Sequence, residues 1–251
     1  MVVTLLTDFD DFYVGAMKGV LHGITDAEVV DIYHDLPRQD VRSAAFALLN
    51  TAPWFPDGSV HCIVVDPGVG TDRKAVAVVV DGGRQTIVAP DNGVALPAAR
   101  KMGEYEVHEV RYESPESSTF HGRDVFAPAA AEIAEGKPVY EEEPIDDYVD
   151  LEFGTAIRTS SGFSAEVLYV DSFGNAVTNL EGGRLLEAAD FGETLRVNGR
   201  EIPFQDTYAR VDEGGLLGTI GSHDNFEVSV NRGSATELMD IDTEDRLEIE
   251  V

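Results

Sequence analysis

An α/β architecture followed by a β-rich segment is predicted by two observations. Strand-like and helix-like stretches alternate through roughly the first 135 residues, and helical patterning nearly vanishes from about residue 163 onward. Between them, residues 136–152 run through Lys-Pro, Glu-Glu-Glu-Pro and Asp-Asp with little periodicity, the composition of a linker or a surface crossover. The predicted division is an N-terminal α/β domain, 1–150, and a smaller C-terminal β domain, 151–251.

In the first part, residues 2–6, 29–32, 60–65, 76–80, 86–89 and 105–110 are short β-branched or alternating runs and read as strands. Residues 13–24 and 41–52 carry apolar side chains at helical spacing, the second stretch following Asp40 as N-cap. Residues 124–134 form an Ala-rich helix closed by Gly136, with Pro128 in its first turn or at a kink. Strands alternating with helices imply an α/β/α layering around a mostly parallel sheet. In the second part, strands are expected at 165–170, 195–197, 216–220, 226–230 and 247–251, with Asn198-Gly199 as a hairpin turn. Short strands between turns make a small sandwich or barrel.

The 251 residues carry 47 Asp and Glu against 18 Lys and Arg, a net charge of -29. Nucleic acid and anionic membrane surfaces are thereby excluded as partners, since both are gripped by basic side chains. The acids are scattered along the chain rather than gathered in a tail, which points to a solvated acidic surface suited to a salt-rich cytoplasm. No apolar run approaches the roughly 20 residues a membrane span needs. The opening Met1-Val-Val-Thr-Leu-Leu6 meets Asp8, Asp10 and Asp11 at once, so it reads as a buried strand rather than a signal peptide. The single cysteine, Cys62, permits no intrachain disulfide and lies in the apolar run 61–65, where a buried, inert thiol is expected.

Chemistry concentrates just past the predicted strand ends, where open α/β sheets bind ligands. Asp66 follows the run Ile63-Val-Val65, and Arg73 precedes the strand at 76–80, so the two can meet if those strands are neighbours. A structural Asp-Arg pair across a turn is the alternative. His121 follows Phe120 and precedes a helix, a loop position from which an imidazole can act as base, donor or metal ligand. No histidine pair has metal-ligand spacing, so no metal is expected. Asp8, at the end of the first strand, is placed either to accept ribose hydroxyls or to cap a helix. Neither Gly-x-Gly-x-x-Gly nor Gly-Lys-Ser/Thr occurs, which argues against a phosphate cradle and leaves a nucleoside open. Taken alone, Asp171-Ser-Phe-Gly-Asn175 reads as a turn.

Together these segments resemble the S-adenosyl-L-methionine (SAM) hydrolases, also called SAM hydroxide adenosyltransferases, relatives of the fluorinating and chlorinating SAM enzymes. The resemblance rests on Leu5-Leu-Thr-Asp-Phe9, Met17-Lys-Gly-Val20, Val65-Asp-Pro-Gly-Val-Gly70, Ala89-Pro-Asp-Asn-Gly93, Thr119-Phe-His-Gly-Arg-Asp-Val-Phe-Ala-Pro128 and Val170-Asp-Ser-Phe-Gly-Asn175, in that order. It implies an N-terminal α/β domain, a C-terminal β-barrel, and a homotrimer holding SAM between the N-domain of one subunit and the C-domain of the next. It also implies a catalytic set falling on Asp66, Arg73 and His121. Asp8 would take the ribose hydroxyls and Phe120 would line the reaction centre. Asn175 would meet the adenine edge, Phe173 and Tyr208 its faces, and Arg232 the adenine through its backbone. Asp171 and Ser222 would hold the amino and carboxylate ends of methionine. The resemblance implies no cofactor, SAM being the substrate. Halide alkylation and nucleoside or SAM binding without turnover are the competing readings. The halogenating relatives look like Tyr at the position of Asp66, and like Tyr or Gly at that of His121, which favours hydrolysis here.

Overall fold

The apolar runs of the first part assemble into one sheet in the computed structural model, which describes residues 1–112, 115–137 and 139–251. The chain divides into two units, Met1–Glu152 and Phe153–Val251. The first contains, in chain order, β1 (Val2–Thr7), α1 (Phe12–Ile24), β2 (Glu28–Tyr33), α2 (Val41–Thr51), β3 (Ser59–Val64), β4 (Ala75–Val80), β5 (Gln85–Pro90), α3 (Leu96–Met102), β6 (Tyr105–Glu109) and α4 (Ala127–Ala134). The strand order is β2-β1-β3-β5-β4-β6. Pairs β1/β2, β1/β3 and β3/β5 are parallel, whereas β4 runs antiparallel to both β5 and β6. The sheet is therefore mixed, with its parallel part on the β2 side.

Every residue of β3, β4 and β5 is buried, as expected of strands covered on both faces. Val3, Leu5, Cys62 and Val64 pack with Val14, Met17 and Leu21 of α1 and with the alanines of α4. Helices α2 and α3 pack on each other, and α2 also packs on β1. Asp40 caps α2 by accepting from Ser43 N at 2.9 Å, and Asp11 caps α1 by accepting from Phe12 N at 2.7 Å. Burial pushes the Cys62 thiol up to about 12, so it stays an inert thiol. Residues 136–152, Pro138 lying outside the described residues, cross the edge strand β6: Ile145 N donates to Val107 O at 2.8 Å and Glu141 N to Glu109 O at 2.9 Å.

His61 is fully buried inside this sheet, with Nδ1 2.8 Å from Thr4 Oγ1 and Nε2 3.1 Å from Gln85 Oε1. An amide oxygen only accepts, so Nε2 carries the proton and Nδ1 accepts from the Thr4 hydroxyl. Desolvation lowers its pKa to about 4. Because the folded value lies below the unfolded one, this group's contribution is intact above pH 6.5 and is lost as the pH falls from 6.5 towards 4, to a total of about 3 kcal/mol. Urea midpoints of wild type and His61→Gln compared at pH 7 and pH 4.5 should show a shallower acid slope in the variant. Equal slopes would refute this assignment.

The second unit contains β7 (Ile157–Arg158), β8 (Gly162–Val170), β9 (Ala176–Glu181), α5 (Gly182–Leu186), β10 (Thr194–Val197), β11 (Arg200–Pro203), β12 (Leu216–Ile220), β13 (Asn225–Val230), α6 (Ala235–Met239) and β14 (Arg246–Glu250). The order β11-β10-β14-β8-β9-β13-β12 is antiparallel throughout, and a Phe204–Gly218 bridge beyond β11 brings its two ends together in a nearly closed barrel. Phe163, Phe204, Phe226 and Leu180 fill it. Asn198 and Gly199 both adopt positive φ, 49° and 78°, the conformation of a two-residue hairpin turn.

Candidate functional site

Because β4 is antiparallel to β5, its first residue pairs with the last of β5, Ala75 with Pro90. Arg73 therefore emerges at the same sheet edge as the tips of β1, β3 and β5. Strands β3 and β4 are not neighbours, since β5 lies between them, yet Arg73 and Asp66 meet because both loops leave this edge.

Arg73 Nε donates to Asp66 Oδ1 at 3.1 Å, and Nη2 pairs with Asp66 Oδ2. Nη1 donates to Lys74 O at 2.6 Å, and Nη2 reaches His121 Nδ1 at 3.2 Å. Four of the five guanidinium N–H groups are thus directed by the protein. The Asp66 and Arg73 side chains are only 6% and 10% exposed, so the pair is desolvated and bidentate, unlike a surface ion pair. Since Arg73 can only donate, His121 Nδ1 accepts and the ring proton lies on Nε2, which has no partner among the described protein groups. The arrangement presents an N–H donor at the end of an acid–guanidinium–imidazole chain.

His121 is buried and opens a π-turn, Gly122–Phe126, in which Ala127 N bonds back to Gly122 O. Pro128 has no N–H to continue an ordinary helix through this point, so the helix predicted from residue 124 becomes α-helical only at Ala127. Asp124 accepts from Ser117 N at 2.8 Å and from Arg123, whose guanidinium lies 5.3 Å from the Phe120 ring centre. The Arg123 hydrogen bond holds the Asp124 carboxyl below the usual range. Phe120 also meets Tyr13 edge-on at 5.0 Å. Gly70 lies so close to this loop that a Cβ would stand 2.9 Å from Ser118 O, which ties the Asp66 loop to the His121 loop.

Asp8, just past β1, accepts from Gln39 N at 2.6 Å, and Gln39 is held at φ 63°. The capping alternative does not apply to α1, whose N-cap is Asp11. Asp8, Asp66, Phe120 and His121 line one cavity of 150 Å³, and Asp8 also borders a 590 Å³ groove with Tyr13, His34 and Arg38. Among the described residues, no group of three or more His, Cys, Asp and Glu is arranged to hold a metal ion.

In the second unit, Asp171, Phe173, Asn175, Tyr208 and Arg232 line a cavity of 500 Å³. Phe173 is 76% exposed there, an aromatic ring presented rather than packed. The 171–175 turn is pinned by Gly174, at φ 78°, whose carbonyl accepts from Ala235 N and whose missing Cβ would fall 2.2 Å from Ser234 Oγ. Tyr208 donates its hydroxyl to Glu227, which Ser229 Oγ also reaches at 3.2 Å. Burial and the Glu227 carboxylate push the Tyr208 pKa up. Glu227 is 5% exposed and was not among the sequence candidates; its alternating strand position reads as a polar face, and only its burial reveals it. Arg232 adopts φ 59° and lies 3.3 Å from Glu213. Ser222 sits in the β12–β13 turn, apart from the residues lining this cavity, 3.5 Å from His223 Nδ1.

A buried acid–guanidinium–imidazole set at the ligand-binding edge of an α/β sheet defines a candidate hydrolytic enzyme of small molecules. Residues 3–142 match the SAM hydroxide adenosyltransferase N-terminal domain and residues 165–248 the corresponding C-terminal domain. The chain belongs to the SAM hydroxide adenosyltransferase family. It is 41% identical to the (R)-S-adenosyl-L-methionine hydrolase of Thermus thermophilus, covering 94% of each chain, and 38% identical to that of Salinispora arenicola, covering 98% of this chain and 97% of the other. A fluorinase of Actinopolyspora mzabensis is more distant, at 25% identity over 85% of each. A crystal structure of a conserved protein from Thermotoga maritima superposes with a TM-score of 0.89 at 34% identity over the whole of both chains.

Proposed function

We propose that the protein hydrolyses SAM to adenosine and L-methionine by in-line attack of water on C5′. The water oxygen bonds to C5′ as the C5′–S bond breaks, the electron pair passes to sulfur, and the sulfonium becomes the neutral thioether of methionine. The water's proton passes to bulk solvent, one per turnover. The leaving group needs no acid, so the protein's task is to position the water and stabilise its hydroxide character. Arg73 fixes His121 so that Nε2–H donates to the water, while Asp66 holds the guanidinium in place. Orientation can supply an effective molarity of about 10⁵–10⁸ M, more than the roughly 10²–10⁴-fold typical of proton-transfer help. The reaction as written uses no cofactor. Asp8 accepts the ribose hydroxyls, Phe120 lines the reaction centre, Phe173 and Tyr208 flank the adenine, Asn175 meets its edge, and Arg232 offers its backbone.

The observation that carries this reading is the 3.2 Å contact from Arg73 to His121, made by a guanidinium already paired with Asp66, in a chain whose nearly full-length relatives are named SAM hydrolases. The test is chromatography of SAM incubated with the pure protein in molar potassium chloride. Adenosine with methionine supports hydrolysis. 5′-Chloro-5′-deoxyadenosine would mark halide alkylation instead, and tight SAM binding without product a sensing module.

The proposal includes a homotrimer in which SAM lies between the first unit of one subunit and the second unit of the next. The support is that each unit carries only part of the required groups, the reacting set in one and the aromatic cavity in the other. Light scattering should give three times the chain mass. We place the protein in a salt-rich cytoplasm on the strength of its net charge of -29. Self-repulsion of this size is relieved when the Debye length shrinks to roughly 3 Å at about 1 M salt. The melting temperature should accordingly rise between dilute and molar potassium chloride, and a flat response would refute the assignment.

A further inference from the structure

We propose that Asp171 sets purine selectivity by fixing which end of the Asn175 amide faces the ligand, admitting a 6-amino purine and rejecting a 6-oxo purine. This deepens the reading above and rests on it, since it takes the cavity of the second unit as the nucleobase site. Asp171 Oδ1 accepts from Phe173 N and Asn175 N, each at 2.9 Å, and Oδ2 accepts from Asn175 Nδ2, also at 2.9 Å. A carboxylate offers only acceptors, so it selects the NH₂ end of the amide and turns Asn175 Oδ1 away from itself. That oxygen has no partner among the described residues, although Asn175 is 6% exposed and lines the cavity.

A lone acceptor at the cavity wall complements an exocyclic amino group. It opposes a carbonyl at the same position. Accommodating a 6-oxo purine would require the amide to flip, which would set Oδ1 against the Asp171 carboxylate. The exclusion is therefore built into the turn itself. Asp171 is a positioning residue in this scheme, acting through Asn175.

The Asp171→Asn variant separates these roles. Its side-chain amide keeps an oxygen for the two backbone N–H groups, so the turn retains its acceptor, but presents an NH₂ group to Asn175. The Asn175 amide then has to offer Oδ1 inward and Nδ2 to the ligand. Calorimetry of the full-length protein with adenosine and with inosine reads the result. Wild type should bind adenosine about 10- to 100-fold more tightly than inosine, the scale of one hydrogen bond made or opposed in a desolvated site. Asp171→Asn should collapse or invert that ratio, and Asn175→Ala, which deletes the reader and leaves Asp171, should bring it close to one. A wild-type ratio near one, or either variant keeping the wild-type ratio, overturns the inference. Failure of the wild type to bind either nucleoside would instead overturn the placement of the nucleobase in this cavity.

Discussion

Replacing His121 by alanine is expected to lower turnover of SAM about 10²–10⁴-fold while leaving SAM affinity within a few-fold of wild type. The imidazole is held by Arg73 at 3.2 Å through Nδ1, which leaves Nε2–H free among the described residues, and His121 lines a cavity with Asp66 and Asp8. A donor aimed at the water oxygen stabilises the hydroxide character that appears only as the water loses its proton and is absent from the SAM-bound ground state, so its loss falls on kcat. Asp8→Ala should do the reverse, weakening SAM binding by removing the ribose acceptor and orphaning Gln39 N. Calorimetric affinity and steady-state kinetics on the two variants separate the roles. Equal losses of affinity in both would overturn the assignment.

The sites past β1 and β3 were legible in the sequence because a buried apolar run ending in a carboxylate marks a strand tip without knowledge of strand order. What joins them was less legible. Arg73 comes to Asp66 through the antiparallel insertion of β4 beyond β5, a matter of topology that no local pattern encodes. Strand β9 escaped the hydrophobic pattern because its interior carries Thr178 and Asn179, both buried. Their side chains are satisfied by Phe226 O at 2.7 Å, Gly154 O at 2.7 Å and Glu166 N at 2.9 Å. A polar residue whose partner lies dozens of positions away looks the same in sequence as one facing water. Glu227 escaped for that reason too: its partner Tyr208 lies 19 positions earlier, on a short 3₁₀ turn outside the predicted strands. Helix α3 was missed because seven residues beginning Leu-Pro make too short a period to read.

Asp66→Ala should be the most destabilising single change at the site as well as an inactivating one. It leaves the Arg73 guanidinium, 10% exposed, without its bidentate partner, and it removes an acceptor from Gly68 N at 3.1 Å. Breaking a buried ion pair from one side costs about 3–5 kcal/mol, because the remaining charge keeps its desolvation penalty and loses the attraction that offset it. Arg73 would retain Lys74 O and the Phe126 face at 5.2 Å, neither of which carries a full negative charge. Relief would come through displacement of the guanidinium towards water, which also releases His121. A second variant tests this coupling. Asp66→Ala combined with Arg73→Met removes both charges, so it should recover most of the lost stability in urea denaturation while remaining inactive, since nothing then orients His121. If the double variant regained turnover along with stability, the pair would be a structural clamp across a turn and the reacting water would have to be activated elsewhere. If Asp66→Ala alone unfolded at the wild-type urea concentration, the desolvated pairing itself would be refuted.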